Sequence, residues 1–298
     1  ILSINGYNND DILTYKEASK IIKDYVASQP SIGRDLCDKY TCCTLSDDEK
    51  CNIDTFITDS STLVLPGGES RCIFSSSTPY AFQVIPGASD KLIVYLQGGG
   101  ACWDEASTNA GFCSTSVSPA SLIGMFDREN ELNPYKDYTV VHALYCSGDL
   151  WGGNVTQSYN DADGVPVTQK GLYNVQLTID WIIAQQKASK LSSTFTDLIV
   201  TGTSAGAVGV QLWYTQILDS FDWDSAVVIP DSYAGVFPDG TQGPLTKALG
   251  YCTWEKLPED LYTTCINEQV TLELLTSYNL KNNYPDVPVA FIQSKLDA

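Results

Sequence analysis

Five short apolar runs constrain what this chain can fold into. They are Leu92–Leu96, Tyr138–Leu144, Leu198–Val200, Ala226–Ile229 and Val287–Ile292. None shows the polar–apolar alternation of a strand with one wet face. Such runs predict strands buried on both faces, hence a parallel sheet covered by helices. Between the second and third runs, Leu172, Val175, Ile179, Ile182 and Ile183 recur at spacings of three and four, which places them on one helical face. Val210, Tyr214 and Ile217 repeat the pattern after the third run. Strand and helix in alternation predict an α/β doubly wound domain with a mostly parallel sheet. Two long polar loops, at about 103–120 and 152–170, are expected over the sheet's carboxyl edge, where such folds build binding sites. Residues 1–60 are polar and rich in Asp and Cys, with a helix expected over about Tyr15–Ala27. They read as a disulfide-stapled extension, and residues 61–298 as the main domain.

The third run leads into Thr201-Gly202-Thr203-Ser204-Ala205-Gly206-Ala207. This is G-x-S-x-G between a strand and a helix, the setting of a nucleophile elbow, in which the serine occupies the tip of a sharp, strained turn. Small residues two before and two after the serine let neighbouring backbones approach. The next amide, on Ala205, then lies at a helix N-terminus, whose dipole favours developing negative charge. A chance match to so short a pattern is expected in about one chain in ten of this size, so the weight rests on the strand before it and the helix after it. A second signal follows the first run: Gln97-Gly98-Gly99-Gly100-Ala101-Cys102-Trp103-Asp104. Three glycines there suit a loop whose backbone N–H groups face a substrate oxygen. A plain tight turn and a phosphate cradle are the alternatives. Neither G-K-[ST] nor G-x-G-x-x-G accompanies the glycines, which argues against the cradle.

Ten cysteines accompany one histidine, a composition that points to disulfides and an oxidising compartment. Cys37, Cys42, Cys43 and Cys51 lack the paired C-x₂-C spacing that zinc sites favour, so disulfides are preferred there and zinc is the alternative. Cys102 with Cys113, and Cys252 with Cys265, are candidate pairs. The sequon Asn154-Val155-Thr156 agrees with secretion. A net charge of -19 argues against nucleic-acid partners, which need Lys and Arg against phosphate, and against docking on anionic membranes. No apolar run is long enough to cross a bilayer. The sole histidine, His142, lies inside the second run and is expected in the core. Asp149 reads equally as a structural cap and as part of a pocket mouth.

Taken together, the strings LIVYLQGGGACWD (Leu92–Asp104), YCSGD (Tyr145–Asp149), GTSAGAVG (Gly202–Gly209) and Pro230-Asp231-Ser232 resemble the pectin acetylesterase family, which includes the Notum carboxylesterases. Gly100 stands where Notum-type chains carry Trp, so the chain looks closer to the plant-like branch. The resemblance implies an α/β-hydrolase-like fold, secretion, disulfides, and ester hydrolysis with no cofactor or metal. Carried over by position, the nucleophile falls on Ser204 and the oxyanion donors on the backbone of Gly99, Gly100 and Ala205. The acid falls on Asp297, with Asp231 as a fallback. The family's histidine follows the acid, so it is expected beyond Ala298, with the C-terminal part of the domain missing and residues 1–298 inactive by themselves. The implied substrate is an acetyl group on a cell-wall polysaccharide such as pectin. A lipidated protein, as for Notum, and a non-catalytic carbohydrate-binding relative are the alternatives.

Overall fold

The computed structural model describes residues 32–45, 51–233, 237–254, 257, 259–271, 274, 276–278 and 283–294. The helix expected over Tyr15–Ala27 lies outside the described residues. Seven strands form one sheet: β1 (Cys42–Thr44), β2 (Thr62–Leu65), β3 (Phe82–Ile85), β4 (Ala88–Leu96), β5 (Tyr138–Ala143), β6 (Asp197–Thr203) and β7 (Ala226–Asp231). Their order is β1-β2-β3-β5-β4-β6-β7. The strands β5, β4, β6 and β7 run parallel. β3 joins antiparallel to both β2 and β5, and β1 is parallel to β2. The sheet is therefore mostly parallel, with helices on its faces, as the uninterrupted apolar runs predict. Within β4, Leu92, Ile93, Val94 and Leu96 are all buried, so both sides of the strand are covered.

The helices are α1 (Ile32–Lys39), α2 (Glu105–Asn109), α3 (Gly171–Lys187), α4 (Ala205–Ser220), α5 (Gln242–Ala248) and α6 (Glu259–Ile266). In α4 every residue from Ala205 to Thr215 is buried, along with Ile217 and Leu218, so α4 is enclosed on nearly all sides. Helix α3 buries Val175, Ile179 and Ile182, as their spacing predicts, but also Asn174, Thr178 and Gln185. Each of these polar groups has a partner. Asn174 bonds both backbone polar groups of Arg71, Thr178 meets the Tyr80 hydroxyl, and Gln185 accepts from the Ile53 N–H. Buried polar groups are tolerated only when paired in this way.

Three outcomes differ from the sequence reading. The strands β1 to β3 were not expected; they are short, and β1 comes from the cysteine-rich N-terminal segment. The second polar loop contains an antiparallel ribbon, Val155–Asn160 with Pro166–Gln169, whose first strand alternates half-buried and exposed residues. Val287–Ile292 is expected as a fully buried strand. It makes only two parallel bridges, Val228 to Val289 and Asp231 to Ile292, and Phe291 and Ile292 stay exposed. Among the described residues, its bridges are to β7.

All ten cysteines pair: Cys37–Cys42, Cys43–Cys51, Cys72–Cys146, Cys102–Cys113 and Cys252–Cys265. The N-terminal cluster thus forms two disulfides rather than a zinc site. No helix among the described residues is long and apolar enough to cross a membrane.

Candidate active site

Ser204 stands between β6 and α4 with φ 57° and ψ −121°. Only a few per cent of non-glycine residues have positive φ, and such strain persists only where the surroundings impose it. Three constraints do so. The Ser204 N–H donates to the Asp231 carbonyl at 3.0 Å, tying the turn to the end of β7. The helix begins at once, with the Ala207 N–H on the Ser204 carbonyl at 2.9 Å. And β4 ends hard against the turn: a Cβ on Gly206 would lie 1.9 Å from the Leu96 carbonyl oxygen. A side chain there cannot be accommodated without moving backbone, which explains the glycine after the serine in physical terms. The preceding side chain is fixed too, since the Thr203 hydroxyl lies 2.5 Å from the Tyr95 hydroxyl.

The triple-glycine loop lies beside this turn. A Cβ on Gly98 would meet the Thr203 carbonyl oxygen at 2.4 Å and the Ser204 Cβ at 3.0 Å. Gly100 has φ +71°, and a Cβ there would meet the Phe112 carbonyl oxygen at 1.9 Å. Gly100 bridges Cys113, the Ser114 N–H donates to the Gly99 carbonyl at 2.7 Å, and the Ala101 N–H donates to the Phe112 carbonyl at 3.1 Å. The Cys102–Cys113 disulfide closes the same loop. Ser204 is exposed, and it lines a cavity of about 490 Å³ together with Gly100, Ala205, Leu150, Val208 and Leu245. Of the three expected oxyanion donors, Gly100 and Ala205 line this cavity. Gly99 does not; it sits against the Tyr145 ring and the Ser114 side chain.

The stretch after β5 forms the third side. Leu150 and Trp151 both have positive φ, 55° and 70°. Asp149, wholly buried, holds them there. Its carboxylate accepts from the Ser147 hydroxyl at 2.6 Å, the Trp151 N–H at 3.1 Å and the Gly171 N–H at 2.7 Å. Burial pushes the carboxyl above its usual range, and these donors act in the opposite direction. The Tyr251 hydroxyl donates to the Asp149 carbonyl, and the Leu150 N–H donates to the Tyr145 hydroxyl. The Trp151 indole N–H then reaches the Gln97 carbonyl at 3.0 Å, so this stretch props the glycine loop from behind. Neither consecutive left-handed residue is a glycine, so sequence carried no sign of them. The wall formed by Tyr233, Phe237, Pro244 and Leu245 was also missed, because its sequence has no distinctive pattern.

His142 is buried in β5, with its ring edge-on to Tyr95 and its Nδ1 3.3 Å from Gln83 Oε1. Burial pushes its pKa down to about 3, so it is neutral at ordinary pH. Asp231 offers its backbone carbonyl to Ser204, while its carboxylate accepts from the Ser232 hydroxyl at 2.8 Å. Asp297 lies outside the described residues. The site thus presents a strained, exposed hydroxyl beside a helix N-terminus and a glycine loop, over a largely apolar cavity. Such a constellation is suited to acyl transfer.

Compared with known proteins, residues 61–293 match the family described as pectinacetylesterase. The Palmitoleoyl-protein carboxylesterase NOTUM of Schmidtea mediterranea is 26% identical over 134 residues, which is 42% of this chain and 24% of that protein. The matched part thus spans about a quarter of that relative's length. Two crystal forms of the Wnt deacylase Notum from Drosophila superpose with TM-scores of 0.52 and 0.51 at 19% and 20% identity, each covering 78% of this chain and 70% of that chain. At such identity the likeness is one of fold, which is accordingly α/β-hydrolase-like.

Proposed function

The chain belongs to the pectinacetylesterase family, a family of carboxylesterases, and from that premise we propose that it is a secreted serine carboxylesterase removing acetyl groups from a cell-wall polysaccharide such as pectin. The observation that carries this reading is the backbone of Ser204, at φ 57° and ψ −121°, with its side chain exposed at a cavity that Gly100 and Ala205 share. The Ser204 oxygen attacks the ester carbonyl and its proton passes to a histidine base, which returns it to the departing sugar oxygen as the ester C–O bond breaks and the acyl group stays on Ser204. The backbone amides of Gly100 and Ala205, which line the cavity, stabilise the oxyanion, Gly99 being the donor of the three that lies off it, and water then releases the acid from Ser204. His142 is not that base, because it is walled into the sheet. Asp297 is the proposed acid that orients the histidine. Five disulfides support an extracellular setting. The division into an extension over 1–60 and a catalytic domain over 61–298 is part of the same proposal.

The test is hydrolysis of 4-nitrophenyl acetate by the protein expressed from its complete coding sequence. Ser204→Ala is expected to lower kcat by about 10⁴-fold or more, as nucleophile loss does in serine hydrolases. Equal rates would rule out Ser204.

One observation favours a second reading. The cavity of about 490 Å³ is walled by Leu150, Val208, Phe237 and Leu245, more apolar space than an acetyl group fills. That favours a longer acyl chain, as in a lipidated protein. Comparing acetyl with octanoyl esters separates the two: a higher kcat/KM on octanoyl selects the longer chain.

A further inference from the structure

Beside the serine's cavity, two large aromatic rings face solvent. Trp103 is 39% exposed and Phe112 56%, with centroids 6.1 Å apart and planes inclined by 39°. Trp103 lines the cavity that holds Ser204. Both rings belong to the loop closed by Cys102–Cys113. That loop is fixed from within: the Trp103 N–H donates to the Ser107 hydroxyl at 3.0 Å, and Asp104 and Ser107 cap α2 reciprocally. The Phe112 N–H donates to the Ser107 carbonyl at 3.1 Å, and the Phe112 carbonyl accepts from Ala101. The backbone therefore holds the rings out, and a ligand covering them pays little ordering entropy. Paired exposed aromatics continuous with a cavity mark an interaction site.

Charge decides what can cover them. No Lys or Arg occurs between Leu92 and Asp127, and none of the described residues lining the cavity is a Lys or Arg. Asp104 and Glu105, both exposed, adjoin Trp103. The Ser107 backbone N–H holds the Asp104 carboxyl below the usual carboxylate range, so it is ionised at neutral pH. An anionic ring would face these two carboxylates, with no Lys or Arg in the loop itself or among the described residues lining the cavity to offset them. An uncharged sugar ring has what the surface lacks: a face of C–H groups to lie on an indole, and hydroxyls to donate to carboxylates.

We propose that Trp103 and Phe112 form a platform for an uncharged sugar ring of the substrate, adjoining the ester held at Ser204, which narrows the cell-wall polysaccharide proposed above to one presenting neutral sugars there in place of pectin's polyuronate backbone. The assignment of the ester to Ser204 rests on the function proposed above; the binding of sugar does not. The test is therefore binding, by titration calorimetry, in the full-length protein carrying Ser204→Ala. The probes are β-1,4-linked hexasaccharides of xylose, mannose and glucose, against hexagalacturonate, all at low salt. At least one neutral hexasaccharide is expected to bind tenfold or more tightly than hexagalacturonate. Trp103→Ser and Phe112→Ser are each expected to weaken that binding fivefold or more with an unchanged melting temperature. No binding of any neutral probe, equal binding of hexagalacturonate, or unaltered affinity in both variants would overturn the platform. So would tight binding of an acylated peptide in place of every sugar, which would make the occupant a protein. A failure of wild-type ester hydrolysis with sugar binding intact would sink the esterase reading alone.

Discussion

At their amino ends, the turn into β4 is tied to the start of β5 by the Thr139 hydroxyl, which accepts from the Gly87 N–H and donates to the Ala88 carbonyl, and by one cation. The Arg128 guanidinium donates to the carbonyls of Ile85, Pro86, Lys136 and Tyr138, closing that end with a cation that needs no strained backbone. At their carboxyl ends, β4, β5, β6 and β7 run into loops with Gly100, Leu150, Trp151, Ser204 and Ser232 all at positive φ. Those loops are braced by two disulfides, Cys72–Cys146 and Cys102–Cys113, and by the buried Asp149. Both ends are well fastened. They differ in what the fastening holds: at one end turns in which Ser189, just past the end of α3, is also at positive φ, at the other a cluster of such residues around an exposed hydroxyl and a cavity. Most of the strain is kept where chemistry would use it, and it is more heavily braced there than at the other end.

Substitutions at the two ends test this contrast. The largest effect is expected from Gly206→Ala, because the added methyl meets the Leu96 carbonyl oxygen. A loss of about 3 kcal/mol or more is expected in denaturant unfolding, with esterase activity lost in the remaining folded protein. A variant as stable and active as wild type would show that the close approach of β4 to the elbow does not matter. Arg128→Met should cost about 2 kcal/mol from several lost charge-assisted hydrogen bonds, yet leave the kcat of the folded fraction within about twofold of wild type. A large change in kcat would show that the two ends are coupled through the sheet. The smallest effect concerns His142, buried one residue from the carboxyl end of β5. Its folded pKa is depressed to about 3, against about 6.5 unfolded. The unfolded chain therefore binds the proton first, and stability falls as pH drops from about 6.5 toward 3. Between pH 6.5 and 5.5 the loss is about 1 kcal/mol. In His142→Gln that part of the slope should vanish from the unfolding free energy; an unchanged slope would mean that other groups carry it.

Much of the parallel half of the sheet was legible because β5 and β6 and the second half of β4 are buried on both faces, whereas β7 alternates buried and half-buried residues. Leu92–Leu96 and Leu198–Val200 admit few other readings, and each lies within the strand observed. The strands β1 to β3 were not legible, being short and recruited by pairing with distant partners. The ribbon at Val155–Asn160 leaves a weak trace in the sequence, because its half-buried positions Val155, Gln157 and Tyr159 are not all apolar and only the turn at Asp161–Gly164 marks a hairpin. At the site, the serine and the glycine loop stood out because local backbone geometry demands particular residues there. Leu150, Trp151 and the rings of Trp103 and Phe112 did not, since their significance depends on what lies across from them.

Sequence alone determined which segments must be buried strands, where a turn tight enough to need glycines follows one of them, and that the cysteines would pair. Those are local matters, set by side-chain hydrophobicity, by the absence of a Cβ and by redox chemistry. Tertiary structure decided the rest. It set the strand order that brings Gly98 against Ser204, the buried carboxylate that holds two non-glycine residues at positive φ, and the aromatic pair left facing solvent beside the cavity. Each of these depends on contacts between residues far apart in the chain, and the energy of such a contact is not defined until the fold has chosen both partners.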